Sequence, residues 1–201
     1  MSRMIHIIDD DDQVRNSLGL LLETSGHKVR TFHSGDSYIA EEPDLDNAVI
    51  ILDVRMPGRD GVETLGYIRK RSTRAPVIMI SGHGDIPLAV KAMQAGANDF
   101  VEKPFAAGRI ISAIDHVDRS TASGQEAGKT QVQTPDPLSV LTPREREVAL
   151  AISEGKLNKI VAYDLGISVR TVETHRARLM SKLGIASLPE LVRLVIARPS
   201  D

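Results

Sequence analysis

Cysteine and tryptophan are both absent from the 201 residues. The missing cysteine excludes disulfides, thiolate metal centres and cysteine nucleophiles. Aromatic residues make up only 3% of the chain, so any hydrophobic core must be built almost wholly from aliphatic side chains. No apolar run approaches the ~18–20 residues needed to cross a bilayer, and the first nine residues lack the apolar stretch of a secretion signal. The expectation is a cytoplasmic protein with no membrane partner. Net charge is also nearly lacking, at −2, but it is unevenly spread: residues 1–118 carry 13 Lys and Arg against 18 Asp and Glu, whereas 138–201 carry 10 against 7. An acidic first part and a basic last part point to different partners for each.

What is present falls into two patterns. Short runs rich in Ile and Val at 4–8, 29–32, 48–52, 76–80 and 99–101 alternate with segments of helical spacing, such as Val14, Leu18, Leu21 and Leu22. Five strands alternating with five helices predict an α/β arrangement, a parallel sheet covered on both faces. The helix after the second strand is the least marked, because "SGDSYIAEEPDLDN" is polar and contains Pro43. Residues 119–137 hold a single aliphatic beyond alanine and read as a linker. From 138 onward the pattern is helical throughout. Helices are predicted at 143–154, 158–165, 169–183 and 188–197, with Thr142/Glu145 and Ser187/Glu190 as capping boxes. The domains are therefore 1–118, the linker 119–137, and a four-helix domain at 138–201.

The stretch "HIIDDDDQVR" places four aspartates directly behind the first strand. A solvated acidic turn is the plain explanation. However, ligands of open α/β sheets bind beyond the carboxyl ends of the strands, where the winding reverses; for the order 2-1-3-4-5 that is between strands one and three. Asp9 and Asp10 follow strand one and Asp53 follows strand three, with Ser81 after the fourth and Lys103 after the fifth. Three carboxylates in one crevice raise one another's pKa unless a cation neutralises them. All-oxygen ligands suit Mg²⁺ or another hard cation. An EF-hand is excluded, because "DDDDQVRNSLGL" lacks the glycine at its sixth position and the glutamate at its twelfth. A lysine and a hydroxyl beside such a cation suggest a phosphoryl group, with Asp53 as the nucleophile.

The motifs "IIDDDD", "ILDVRMPGRDG", "VIMISGHGD" and "DFVEKPF" resemble the receiver domain of two-component response regulators. The resemblance implies a flavodoxin-like sheet in the order 2-1-3-4-5, and that Asp53 takes phosphate from a sensor histidine kinase. It implies Mg²⁺ held directly by Asp10, Asp53 and the Arg55 carbonyl, and through water by Asp9. Ser81 and Lys103 would hold the phosphoryl oxygens, and Phe100 would be a rotameric switch. Ser81 is often threonine and Phe100 often tyrosine in that family. A haloacid-dehalogenase-type phosphatase also uses an aspartyl phosphate, but needs a second aspartate where this chain has Arg55. A pseudo-receiver whose dimerisation ignores phosphate is the third reading.

In the basic part, "NKIVAYDLGISVRTVETHRARLMSKLG" has a helix-turn-helix layout. Ala162 is small where two helices cross, Gly166 supplies the turn and Ser168 caps the next helix. On that helix Val172, Leu179 and Leu183 face inward, and Arg170, Thr171, Thr174, Ala177 and Arg178 face elsewhere. With "LTPREREV", the segment resembles the LuxR-type output domain, and the whole chain resembles the FixJ/NarL group of transcription factors. Asn158, Lys159, Arg170, Thr171 and Arg176 are expected to contact DNA phosphates; Glu173, Thr174 and Ala177 are expected at base edges. The expectation is a promoter-binding regulator, not an enzyme beyond its own phosphoryl transfer and slow self-dephosphorylation. Phosphorylation would favour a homodimer through a surface at Val90, Met93 and Val101. Two further motifs are set aside. "SGQEAGKT" has Ser123 in place of the first P-loop glycine, and the His83 of "GHGD" is a lone loop histidine.

Overall fold

A computed structural model of the chain describes residues 4–82, 86–123, 136–185 and 187–196. Five strands, β1 (Met4–Ile8), β2 (Lys28–Phe32), β3 (Ala48–Asp53), β4 (Val77–Gly82) and β5 (Asp99–Lys103), form one parallel sheet in the order β2-β1-β3-β4-β5. All six residues of β3 are buried, as befits a central strand covered on both faces, whereas β2 at the edge is mostly exposed. Helices α1 (Asp12–Thr24), α2 (Gly35–Ala40), α3 (Gly61–Arg71), α4 (Ile86–Gln94) and α5 (Ala107–Ser123) alternate with the strands.

The aliphatic core expected from the composition is present. Ile5, Ile7, Ile51, Ile78 and Ile80 of the sheet cluster with Leu18 and Leu22 of α1 and Ile110 and Ile114 of α5. The helix termini follow their local chemistry. Asp11 caps α1 by accepting from the Gln13 and Val14 amides at 2.7 and 3.4 Å, and Asp60 with Glu63 closes a capping box on α3. The weakly marked helix is real but only six residues long. Ser34 and Ser37 box its start and fully buried Tyr38 anchors it; Glu42 at φ 43° and then Pro43 follow its end. Helix α5 continues to Ser123, further than the sequence boundary at 118. The "SGQEAGKT" motif beyond Ser123 and His83 lie outside the described residues.

The chain divides into two compact units, 1–84 with 95–128 and 85–94 with 129–201. The second takes in α4. Its carboxyl-terminal part comprises a short 3₁₀ helix (Pro137–Val140), which the sequence pattern did not announce, and α6 (Pro143–Ser153), α7 (Asn158–Leu165), α8 (Val169–Leu183) and α9 (Leu188–Ile196). Gly166 takes the left-handed φ of 65° that lets α7 turn sharply into α8. Ser168 caps α8 by accepting from the Thr171 amide at 3.1 Å. Val148, Ile152, Val161, Val172, Leu179 and Leu191 form an aliphatic core.

Candidate functional site

Three strands deliver charge to one place. Asp9 leaves the end of β1, Asp53 ends β3 and Lys103 ends β5; the Lys103 ammonium donates to Asp9 Oδ2 and to Asp53 Oδ1, each at 2.6 Å. Both carboxylates are buried, Asp9 fully. Each has a second, main-chain donor: the Asp11 N–H reaches Asp9 Oδ1 at 2.9 Å, and the Arg55 N–H reaches Asp53 Oδ2 at 2.7 Å. Burial raises the Asp53 carboxyl above its ordinary range; the bond and charge of Lys103 oppose that rise, and the nearby Asp9 charge adds to it. Burial works against the Lys103 ammonium, but its bonds to Asp53 and Asp9 outweigh burial and raise its pKa.

Helix α3 can start against the end of β3 because its first residue is glycine. A Cβ on Gly61 would stand 2.1 Å from the Asp53 carbonyl oxygen, and the Gly61 N–H donates to the Val54 carbonyl at 2.9 Å. Across the pocket, Ser81 Oγ is buried with no hydrogen-bond partner among the described residues. A buried, unsatisfied hydroxyl is costly unless something supplies its bond. Phe100 is buried, with its N–H donating to Asp99 Oδ1 at 2.8 Å.

Of the three carboxylates that the sequence placed at the crevice, two meet: among the described residues no group of three or more carboxylate or imidazole side chains lies together. Asp9 and Asp53 meet; Asp10 is exposed and makes no hydrogen bond or ion pair with the described residues. The physical reason is charge: the Lys103 ammonium already neutralises the buried pair, and a third carboxylate gains more from water than from joining them. The donor set still fits a hard divalent cation. Its donors are oxygens, a positive group already bridges two of them, and Asp10, one residue away, has no partner among the described residues.

Of the expected dimer residues, Val101 belongs to the core between the sheet, α1 and α5, and Val90 and Met93 of α4 are buried as well.

The carboxyl-terminal helices sort the DNA candidates by exposure. Lys159, Arg170, Glu173, Thr174, Ala177 and Arg178 are exposed, while Asn158, Thr171 and Arg176 are half-buried. Lys159, Arg170, Arg176 and Arg178 form no ion pair among the described residues. Thr171 is partly committed, since its hydroxyl bonds Ser168 Oγ at 2.8 Å in the cap of α8. Val172 and Leu179 are fully buried, as the spacing required. Sequence reasoning missed what fixes α8: Lys182 Nζ donates at 2.7 Å to Glu145 Oε2, which also accepts the Thr142 N–H and hydroxyl at 2.9 Å each. The Thr142/Glu145 box was legible, but its partner 37 residues away was not.

Residues 5–115 match the response regulator receiver domain, and residues 139–195 match the luxR family of bacterial regulatory proteins. The chain is 46% identical over 194 residues to the transcriptional regulatory protein FixJ of Azorhizobium caulinodans, covering 96% of this chain and 91% of that one. It is 43% identical over 197 residues to FixJ of Rhizobium meliloti, covering 96% and 95%. Full-length FixJ from B. japonicum superposes with a TM-score of 0.59 at 38% identity, covering 98% of this chain and 97% of that one. The chain thus belongs to the two-component response regulators of the FixJ/NarL group, transcription regulators that join a receiver domain to a LuxR-type DNA-binding domain.

Proposed function

We propose that Asp53 is the phosphoacceptor of a Mg²⁺-dependent switch. One Asp53 carboxylate oxygen attacks the phosphorus of a phosphohistidine on a sensor kinase. The P–N bond breaks, the imidazole keeps the electron pair, and an acyl phosphate forms on Asp53. Lys103 then leaves its carboxylate contact to hold a phosphoryl oxygen, and Ser81 Oγ gains the hydrogen bond it lacks. Mg²⁺ held by Asp9, Asp10, Asp53 and the Arg55 carbonyl would neutralise charge on the transferring oxygens. The observation that carries this reading is one ammonium 2.6 Å from both buried carboxylates, with an orphaned buried hydroxyl on the neighbouring strand.

The kinase has a surface to meet. A groove of about 660 Å³ borders the pocket, lined by Val14, Ser17 and Leu21 of α1 and by Lys103, Pro104 and Phe105. Its apolar walls, with Asp11, Gln13 and the Lys103 ammonium at the polar end, would suit a helical partner that must bring a phosphohistidine to Asp53. Phosphorylation would favour a homodimer, so that two output domains, each reading a major groove with α8, sit on half-sites about one helical turn apart on promoter DNA.

The direct test is labelling with acetyl phosphate and Mg²⁺. The wild-type chain takes up close to one phosphoryl group, and Asp53→Asn takes up none. Labelling of Asp53→Asn at the wild-type level would assign the chemistry elsewhere.

A further inference from the structure

The first helix carries one cation among the four aspartates, and it does not do the obvious thing. Arg15, whose side chain is only 13% exposed, donates through Nη1 to the main-chain carbonyl of Asp9 at 2.6 Å. Its Nη2 pairs with the carboxylate of Asp12. It leaves the carboxylates of Asp9 and Asp10 alone, so Asp9 is free to hold Lys103 and Asp10 has no partner among the described residues. Arg15 therefore spans the acidic turn from its first residue to its fourth. The Arg15 amide also donates to the Asp11 carbonyl at 3.0 Å, and Asp11 bonds both the Asp9 carboxylate and the start of α1.

We propose that Arg15 is a positioning residue for the divalent cation: it locks the β1–α1 turn so that the Asp9 and Asp10 carboxylates are preorganised as ligands. This rests on the reading of Asp53 as a Mg²⁺-dependent phosphoacceptor. Two effects of the guanidinium have opposite signs, which makes the proposal decidable. As a positive charge a few residues from the metal it repels Mg²⁺, and its removal would tighten binding. As a clamp it keeps the turn from splaying under the mutual repulsion of four aspartates, and its removal weakens binding. Residues that orient metal ligands without touching the metal typically change affinity by about 10–100-fold. The guanidinium charge is already paired with the Asp12 carboxylate, so its repulsion of Mg²⁺ is the smaller effect and the clamp wins.

The experiment is a Mg²⁺ titration of the full chain by amide NMR, with acetyl phosphate labelling alongside. Arg15→Gln should bind Mg²⁺ at least about tenfold more weakly than wild type. Arg15→Lys, which keeps the charge and folds if Gln does not, should shift in the same direction by less. With Mg²⁺ raised to saturation, both variants should regain wild-type labelling, because Asp53, Lys103 and Ser81 are untouched; a general packing defect would not be rescued in this way. Equal or tighter Mg²⁺ binding by either variant, or labelling that saturating Mg²⁺ does not restore, overturns the proposal. Should the wild-type chain itself fail to bind Mg²⁺ or to label, the phosphoacceptor reading fails first and takes this one with it.

Discussion

At the scale of single residues the least expected side chain is His6, in the middle of β1. It is buried, its Nδ1 lies 3.1 Å from the Tyr38 hydroxyl, and its ring meets Phe32 and Tyr38 edge-on. Burial, and then the charge of Arg30, lower its pKa from 6.5 to about 4, against a smaller opposing pull from Asp44. The folded value lies below the unfolded one, so as pH falls the unfolded chain binds the proton first. The contribution is complete above pH 6.5 and is lost progressively as pH drops from 6.5 toward 4. Discounted for solvent screening, the loss is on the order of 2 kcal/mol. Urea unfolding at pH 7 and pH 4.5 measures it. His6→Gln should remove most of the drop, and an unchanged pH dependence in that variant would clear His6. Sequence could not signal this residue, because a histidine inside an Ile-rich run looks the same whether it is buried or at an edge. The acid pocket was legible for the opposite reason. Asp9, Asp53, Ser81 and Lys103 are all anchored to strand ends, so the sheet order alone brings them together. Asp10 sits one residue further along, in the turn, where sheet geometry no longer dictates position.

Among whole elements, the strands could be read to within a residue or two because buried parallel strands are continuous aliphatic runs between turns. The helices were harder wherever tertiary contacts set their ends. Helix α2 exists because of Tyr38 and its serine box, and the 3₁₀ helix buries Leu138 in a core that only the assembled helices create. The same dependence governs α8. Its last turn is tied by Lys182 to Glu145 on α6, and that bond, followed by the Thr142 N–H, holds the Glu145 pKa down from 4.5 to about 2. Because the folded value is the lower one, this contribution is full above pH 4.5 and disappears as pH falls through the interval to 2. Lys182→Met should lower the thermal midpoint at pH 7 and weaken DNA binding, since α8 then loses its register on α6. At pH 2 wild type and variant should melt alike. If Lys182→Met melts like wild type at pH 7 and binds DNA normally, the tie is decorative.

For the molecule taken whole, the uneven charge seen first in the sequence finds its use. The receiver half spends its acidic groups on the pocket and the caps, whereas the basic half leaves Lys159, Arg170, Arg176 and Arg178 without ion pairs among the described residues. If these four cations are the phosphate contacts of one protomer, they set the charge it neutralises. Counterion release then limits the logarithmic salt slope of DNA binding to about 3.6 per protomer, and to about 7 when two protomers bind together. Asn158 and Thr171, as phosphate contacts, would add positioning but no slope, because they carry no charge. The full chain should therefore show a slope of no more than about 3.6 on generic duplex DNA, rising toward twice its own starting value with beryllofluoride and Mg²⁺ if phosphorylation pairs the output domains. Arg170→Ala should lower the paired slope by about two, one phosphate from each protomer, and weaken all sequences alike. Glu173→Ala should leave the slope almost unchanged while raising affinity for generic DNA, since the exposed carboxylate would face the same polyanion in the proposed complex. Fluorescence anisotropy across a salt series reads both quantities in one experiment. A slope indifferent to Arg170→Ala would remove α8 from the phosphate contacts, and a slope indifferent to beryllofluoride would separate DNA binding from the state of Asp53.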